Sequence, residues 1–335
     1  MSLIFRRKSV KKTRTNKGVN ITVSGKAATR YGGNTVKYWE LYGMVNSLGA
    51  GLSTNIIDET VPDGHCAELY AIGAKMDSAI GTAERKTLDL EIGYDNGKLT
   101  GIKFGISNYA FSANPGCLAW GDNLNPPLQL DYPMRRGNLT VKYNEGQDME
   151  LVLTADQVAI DQPVYAKAKV LLYEPEDVRA IFGTDISNFA TLPGGVSQSL
   201  PHRVFAEYAY SPASAGDQKW TELYSKKVQN YEEIKITHMG FYPILATNFD
   251  SLRLYDYRTK KEFPEYEPYW KINRANNMLP IGGDLTTVPI QKLPSLIANY
   301  VWSNTTIYVH FRDNGTGVAA FDGGLQLLGT YRRVR

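Results

Sequence analysis

Asp89 and Glu91 stand two residues apart in the alternating stretch Arg85–Ile92, with Leu88, Leu90 and Ile92 as the apolar positions. Residues two apart on a strand share a face, so the two carboxylates point the same way, as a glycosidase acid–base pair does. An outer, solvated strand face explains them better. Glu265 and Glu267 flank Tyr266 beside Tyr269 and Trp270 in Phe263–Trp270. Such rings stack on a sugar, but a packed interface loop is the simpler reading, because Tyr and Trp are enriched at interfaces. The four histidines, His65, His202, His238 and His310, show no i,i+2 or i,i+4 ligand spacing.

The other signatures of catalysis are missing. The chain has no GxSxG, HExxH, CxxC or EF-hand pattern. Gly25-Lys26 fails as a phosphate loop, since Ala27 replaces the Ser/Thr and Asn20 stands where the first Gly belongs. Two cysteines, Cys66 and Cys117, make no disulfide framework and read as buried reduced thiols. The Asn-X-Ser/Thr matches at Asn20, Asn138, Asn304 and Asn314 mean little without a secretory signal. The expectation is a protein that is not an enzyme, with no cofactor and no metal.

The elements that carry these residues are strands. Val164–Tyr173 alternates, with Val164, Ala166, Ala168, Val170 and Leu172 on one face and Tyr165, Lys167 and Lys169 on the other. Glu174-Pro175-Glu176-Asp177 stops it, and Pro175 with two acids begins a short helix through Phe182. Before this strand, Pro62-Asp63-Gly64 and Asn96-Gly97 mark turns between apolar runs. Seven or eight short strands with turns between them argue a sandwich or jelly roll. After it, the Pro- and Gly-rich stretch 175–219 reads as a connector, long for a loop within one domain. A second set of strands follows from Trp220. Ile307, Val309 and Phe311, then Asp313-Asn314-Gly315, then Val318–Phe321 and Leu325–Tyr331 read as a hairpin.

The expected fold is therefore all-β, two β-sandwiches in tandem with short helices in the connector. The divisions are 1–50 (basic arm and docking segment), 51–174 (first module), 175–219 (connector) and 220–335 (second module). Val36–Leu48 ends at Gly49 and reads as a short helix docked on the body. No residue-level repeat links the two halves.

Charge separates an arm from a body. Ten of the 37 Lys/Arg fall in residues 1–39, which contain none of the 34 Asp/Glu. Residues 2–30 are too polar to bury a core and read as an extended, flexible arm. Arg6, Arg7, Lys8, Lys11, Lys12, Arg14 and Lys17 form its cluster. The alternatives are a solvated tail or contact with phosphates of nucleic acid or lipid. No run reaches the ~18 apolar residues of a membrane span. Leu3-Ile4-Phe5 followed by Arg6-Arg7-Lys8 is wrong for a signal peptide, so the chain is expected in a cytoplasm.

This layout of basic arm, strand set closing at Tyr173, helical connector and second strand set resembles the double jelly-roll major capsid proteins of tailless icosahedral viruses with an internal membrane. A bacteriophage member fits the length. The resemblance implies two eight-stranded jelly rolls side by side, and three chains forming a pseudo-hexagonal capsomer that contacts neighbouring capsomers. It places Arg6–Lys17 toward an internal membrane or the genome, and the chain in the virion capsid, assembled in the host cytoplasm. It implies partners among minor capsid or penton proteins. Trp39, Trp120, Tyr266, Tyr269 and Trp270 are the candidate interface aromatics. A carbohydrate-binding sandwich with Tyr266, Tyr269 and Trp270 as its platform is the main rival, and a jelly-roll glycoside hydrolase the third.

Overall fold

The computed structural model describes residues 19–31, 34–76, 88–105, 117–118, 140–197, 202–210, 220–243, 249–256, 271–273, 291–293, 298–313 and 323–334. Ten strands precede the connector: β1 (Val19–Tyr31), β2 (Asn34–Val45), β3 (Leu52–Thr60), β4 (Cys66–Met76), β5 (Leu88–Tyr94), β6 (Lys98–Gly105), β7 (Cys117–Leu118), β8 (Val141–Tyr143), β9 (Asp148–Ala155) and β10 (Val164–Tyr173). Helix α1 (Pro175–Phe182) and a 3-10 turn (Ile186–Thr191) follow. The rest are β11 (His202–Tyr210), β12 (Thr221–Val228), β13 (Glu232–Pro243), β14 (Phe249–Asp256), β15 (Lys271–Asn273), β16 (Gln291–Lys292), β17 (Thr305–Asp313) and β18 (Gly323–Arg333).

These strands form four antiparallel sheets. One runs β1-β2-β10-β4-β7, with β8 also on β4, and its partner runs β3-β9-β5-β6. The other two run β11-β18-β13-β16 and β12-β17-β14-β15. Leaving β1 aside, the first and third strands of each half flank the last one in one sheet. The second strand and the central ones make up the other sheet. β2-β10-β4 thus corresponds to β11-β18-β13, and β3-β9-β5-β6 to β12-β17-β14-β15. This is jelly-roll strand order, made twice. The duplication that no residue repeat reveals is explicit in the topology.

Each module has its own apolar centre. Trp39, Leu41, Leu90, Phe104, Tyr143, Leu153 and Val170 sit in the first. Ile234, Ile236, Trp302, Ile307, Val309, Leu325 and Leu327 sit in the second. The closing strand β10 alternates as its sequence demands, with Val164, Ala166, Ala168 and Val170 buried and Tyr165 exposed.

Four sequence expectations are corrected. Val36–Leu48 is not a helix: β2 pairs with β10 over residues 37–45, and Trp39, Leu41, Gly43 and Val45 are buried at two-residue spacing. Tyr38, Tyr42 and Met44 on the other face obscured that period. The first module therefore starts before residue 51. Part of the expected arm, Val19–Tyr31, is a strand paired with β2, while residues 1–18 lie outside the described residues. His202–Tyr210, placed in the connector, pairs with β18, so the second module begins before residue 220. Finally, β17 and β18 are not a hairpin. They belong to opposite sheets, β17 pairing with β12 and β14, and β18 with β11 and β13. A turn signal marks a reversal of the chain, not which strand it will pair with.

The inter-module seam and candidate assembly surfaces

Strand β6 is the edge of its sheet, so its outward backbone groups need partners from elsewhere. Gln326 on β18 supplies them. Gly105 N–H donates to Gln326 Oε1 at 3.0 Å, and Gln326 Nε2–H donates to Lys103 O at 2.9 Å and to Glu207 O at 3.1 Å. Gln326 is 0% exposed. The approach is close enough to require glycine: a Cβ on Gly105 would fall 2.1 Å from the ring of Tyr208 on β11. Val204, Ala206 and Leu328 turn away from the second core and join the first. The outer face of the β11–β18 pair is thus spent against the first module.

That docking overturns the solvated-face reading of Asp89 and Glu91. They are 6% and 8% exposed. Asp89 lies directly opposite Gly105 on β6, the residue that Tyr208 covers. Lys103 Nζ stands 3.6 Å from Asp89 Oδ2 and 3.9 Å from Glu91 Oε2, and Glu91 Oε1 accepts the Gly101 N–H at 2.8 Å. Burial pushes the Asp89 carboxyl up to about 7, Lys103 opposing and Glu91 and Asp156 assisting. A glycosidase needs this face open to a sugar, and here both carboxylates are buried, with Tyr208 of the second module over the neighbouring Gly105.

The connector is clamped to the first module on its far side. The rings of Tyr173, Phe182 and Phe189 meet at 5.0–5.7 Å, two of the three pairs edge-to-face. Beneath them Glu68 Oε1 accepts from Thr140 Oγ1 and Oε2 from Tyr173 OH, both at 2.6 Å, and Lys142 Nζ lies 3.5 Å away. Lys142 also donates to Pro193 O at 2.8 Å. Its desolvation lowers the ammonium pKa, with Glu68 opposing. Cys66 donates to Ile186 O at 3.1 Å, and burial pushes its thiol up to about 12. As expected from sequence, it is free and buried. The side chain of Cys117 lies outside the described residues.

Two outward faces remain among the described residues. On β2 and β10, Tyr42 OH donates to Glu40 at 2.8 Å, Lys167 Nζ sits 3.6 Å from Glu40 and 5.2 Å from the Tyr42 ring centroid, and Tyr165 is 37% exposed. On the second module, the Arg253 guanidinium lies 4.5 Å over the Trp220 ring and 3.2 Å from His310 Nδ1, and His310 packs on Tyr308. Burial and the Arg253 charge hold His310 down to about 4. A polar cleft of about 400 Å³ between connector and second module is lined by Gly194, His202, Arg203, Glu233, Lys235 and Arg332 among others.

Of the candidate interface aromatics, Trp39 is corrected: it is 8% exposed, packed in the first core. Trp120, Tyr266, Tyr269 and Trp270 lie outside the described residues, as do Arg6, Arg7, Lys8, Lys11, Lys12, Arg14 and Lys17. Among the described residues, no three of His, Cys, Asp and Glu come together as a metal site, and no helix is long and apolar enough to cross a membrane. Gln326, Gly105 and Tyr208 escaped the sequence reading. Their only signal is a lone amide between Leu325 and Leu327-Leu328.

No family model and no curated protein matches the chain. Among solved structures it is similar to the STIV MCP, at 11% identity and a TM-score of 0.41 over 87% of this chain and 96% of that one. It is similar to a chain in the atomic structure of Sulfolobus Turreted Icosahedral Virus, at 9% and 0.42 over 89% and 91%. The CUB1-EGF-CUB2 domain of human MASP-1/3 aligns at 10% and 0.21 over 88% and 99%. The fold assignment rests on strand order, which needs none of these.

Proposed function

We propose that the chain is the major capsid subunit of an icosahedral virus and assembles as a homotrimer of pseudo-hexagonal outline. One observation carries the reading: two modules of identical strand order meet through unlike surfaces, a sheet edge on the first and a sheet face on the second. A heterologous contact uses up one copy of each surface and leaves the counterpart of each at the chain's ends. The outer face of β2 and β10 in the first module corresponds to the docked face of β11 and β18. The sheet carrying Arg253 and His310 corresponds to the one carrying Asp89 and Glu91. Repeating the same contact between chains closes a ring, and six modules require three chains.

The surface chemistry suits such contacts. Tyr42, Tyr165, Trp220 and Arg253 are of the types that dominate interface energetics. In this reading Arg6, Arg7, Lys8, Lys11, Lys12, Arg14 and Lys17 face an internal membrane or the genome, held by counterion release. The chain resides in the virion and assembles in the host cytoplasm. Native mass measurement is the test. A species of three chains, with hexagonal outlines in electron micrographs, is the expected result; a chain that stays monomeric at micromolar concentration overturns the proposal.

A further inference from the structure

We infer that the joint between the two modules is proton-operated, closed most tightly when Asp89 is protonated and loosened when it ionises. The basis is the poor provision made for a charge at this position. Among the described residues, Asp89 is 6% exposed, its Oδ1 has no hydrogen-bond partner, and its Oδ2 reaches only Lys103, at 3.6 Å. That ammonium is divided between two carboxylates, since Glu91 stands 3.9 Å from it, and the Lys103 side chain is 36% exposed. A buried carboxylate needs hydrogen bonds or a dedicated counter-charge, and Asp89 has neither in full.

The other described residues around it add no relief. On its own strand Asp89 has Glu91; on β6 it has Lys103; Asp156, just past the end of β9, adds a further negative charge. Thr154, opposite it on β9, and Gln326 and Tyr208 on the docked module bring no charge at neutral pH. Glu207 on β11 engages Tyr224 and Lys226 instead. Asp89 and Glu91 therefore share one ammonium among the described groups.

The direction follows from linkage. Closed, the joint holds the Asp89 carboxyl near 7 instead of the ordinary 3.8; opened to water, it returns to the ordinary value. Closing thus takes up a proton. The joint has its full strength below about pH 4, weakens as pH rises to about 7, and stays weakened above. This operates within one chain and holds whether or not the chains assemble.

Hydrogen exchange of the β6 amides, Gly105 above all, reads the joint directly, because that N–H is bonded across it. After correction for base-catalysed intrinsic exchange, opening in the wild type should rise by roughly tenfold or more between about pH 5 and about pH 8. Asp89→Asn, which cannot ionise, should show no such rise. Lys103→Met removes the opposing ammonium and should move the transition to higher pH, which keeps the test decisive if Asp89→Asn folds poorly. An Asp89→Asn variant with the wild-type pH slope overturns the inference. So does a Lys103→Met variant whose transition moves to lower pH or does not move.

Discussion

The side-chain amide of Gln326 meets Gly105 as a neighbouring strand would, accepting from its N–H while donating to Lys103 O two residues away. A single glutamine thereby closes a sheet edge of one module with material from the other. Without it, the edge would be left with unpaired backbone groups beneath the second module.

Gln326→Leu should therefore cost more than its change in volume suggests. It strands the Gly105 N–H and Lys103 C=O in a buried site, at about 1–3 kcal/mol for each unsatisfied group. Denaturant unfolding should show a stability loss of about 2–6 kcal/mol and a split transition as the modules uncouple. A single transition at the wild-type midpoint would contradict the bridging role of the amide.

Gly105→Ala should destabilise through sterics alone, because the added methyl would sit 2.1–2.4 Å from three carbons of the Tyr208 ring. Removing that ring should restore room. The double variant Gly105→Ala/Tyr208→Ala is expected to lose less than the two single variants summed, a coupling of about 1 kcal/mol or more in a double-mutant cycle. Simple additivity would place Tyr208 elsewhere.

Phe189→Ala removes the ring shared by Tyr173 and Phe182, and should cost about 3–5 kcal/mol. The readout beyond stability is Cys66, whose thiol donates to Ile186 O in the same turn. In the wild type Cys66 should resist alkylation at pH 8, its thiol being held near 12. In the variant its labelling, resolved from Cys117 by peptide mapping, should accelerate several-fold. Equal labelling in both proteins would show that the aromatic cluster does not hold the connector in place.

Deleting residues 2–18 should leave the assembly state unchanged and weaken binding to anionic vesicles or to DNA. The wild-type affinity should fall with added salt, and the deletion should flatten that dependence. Salt-insensitive binding that survives the deletion would remove the arm from the proposed function.

Strand content was legible wherever one face met the core and the other met water. Val164–Tyr173 shows this most clearly, its alternation surviving intact in β10. β2 was misread because its outer positions, Tyr38, Tyr42 and Met44, are nearly as apolar as its inner ones, which erases the period of two. Asp89 and Glu91 were placed on the correct face but given the wrong surroundings. Polarity says that a side chain avoids the core; it does not say whether a second module will later cover it. The seam was least legible of all. Its glutamine, glycine and tyrosine come from positions more than a hundred residues apart in one case and over two hundred in another, so no local pattern joins them.

Among the described residues, β1 on the outside of β2, together with two short strands on β4, gives the first module a six-stranded sheet where its counterpart in the second has four. The halves are similar in plan yet unequal in width. In the proposed trimer, a ring of alternating wide and narrow blocks would have three repeats, not six, and corners of two kinds. Any partner that must be seated in one orientation can tell them apart, so the added strand would act as a key that fixes how the ring is turned relative to its neighbours.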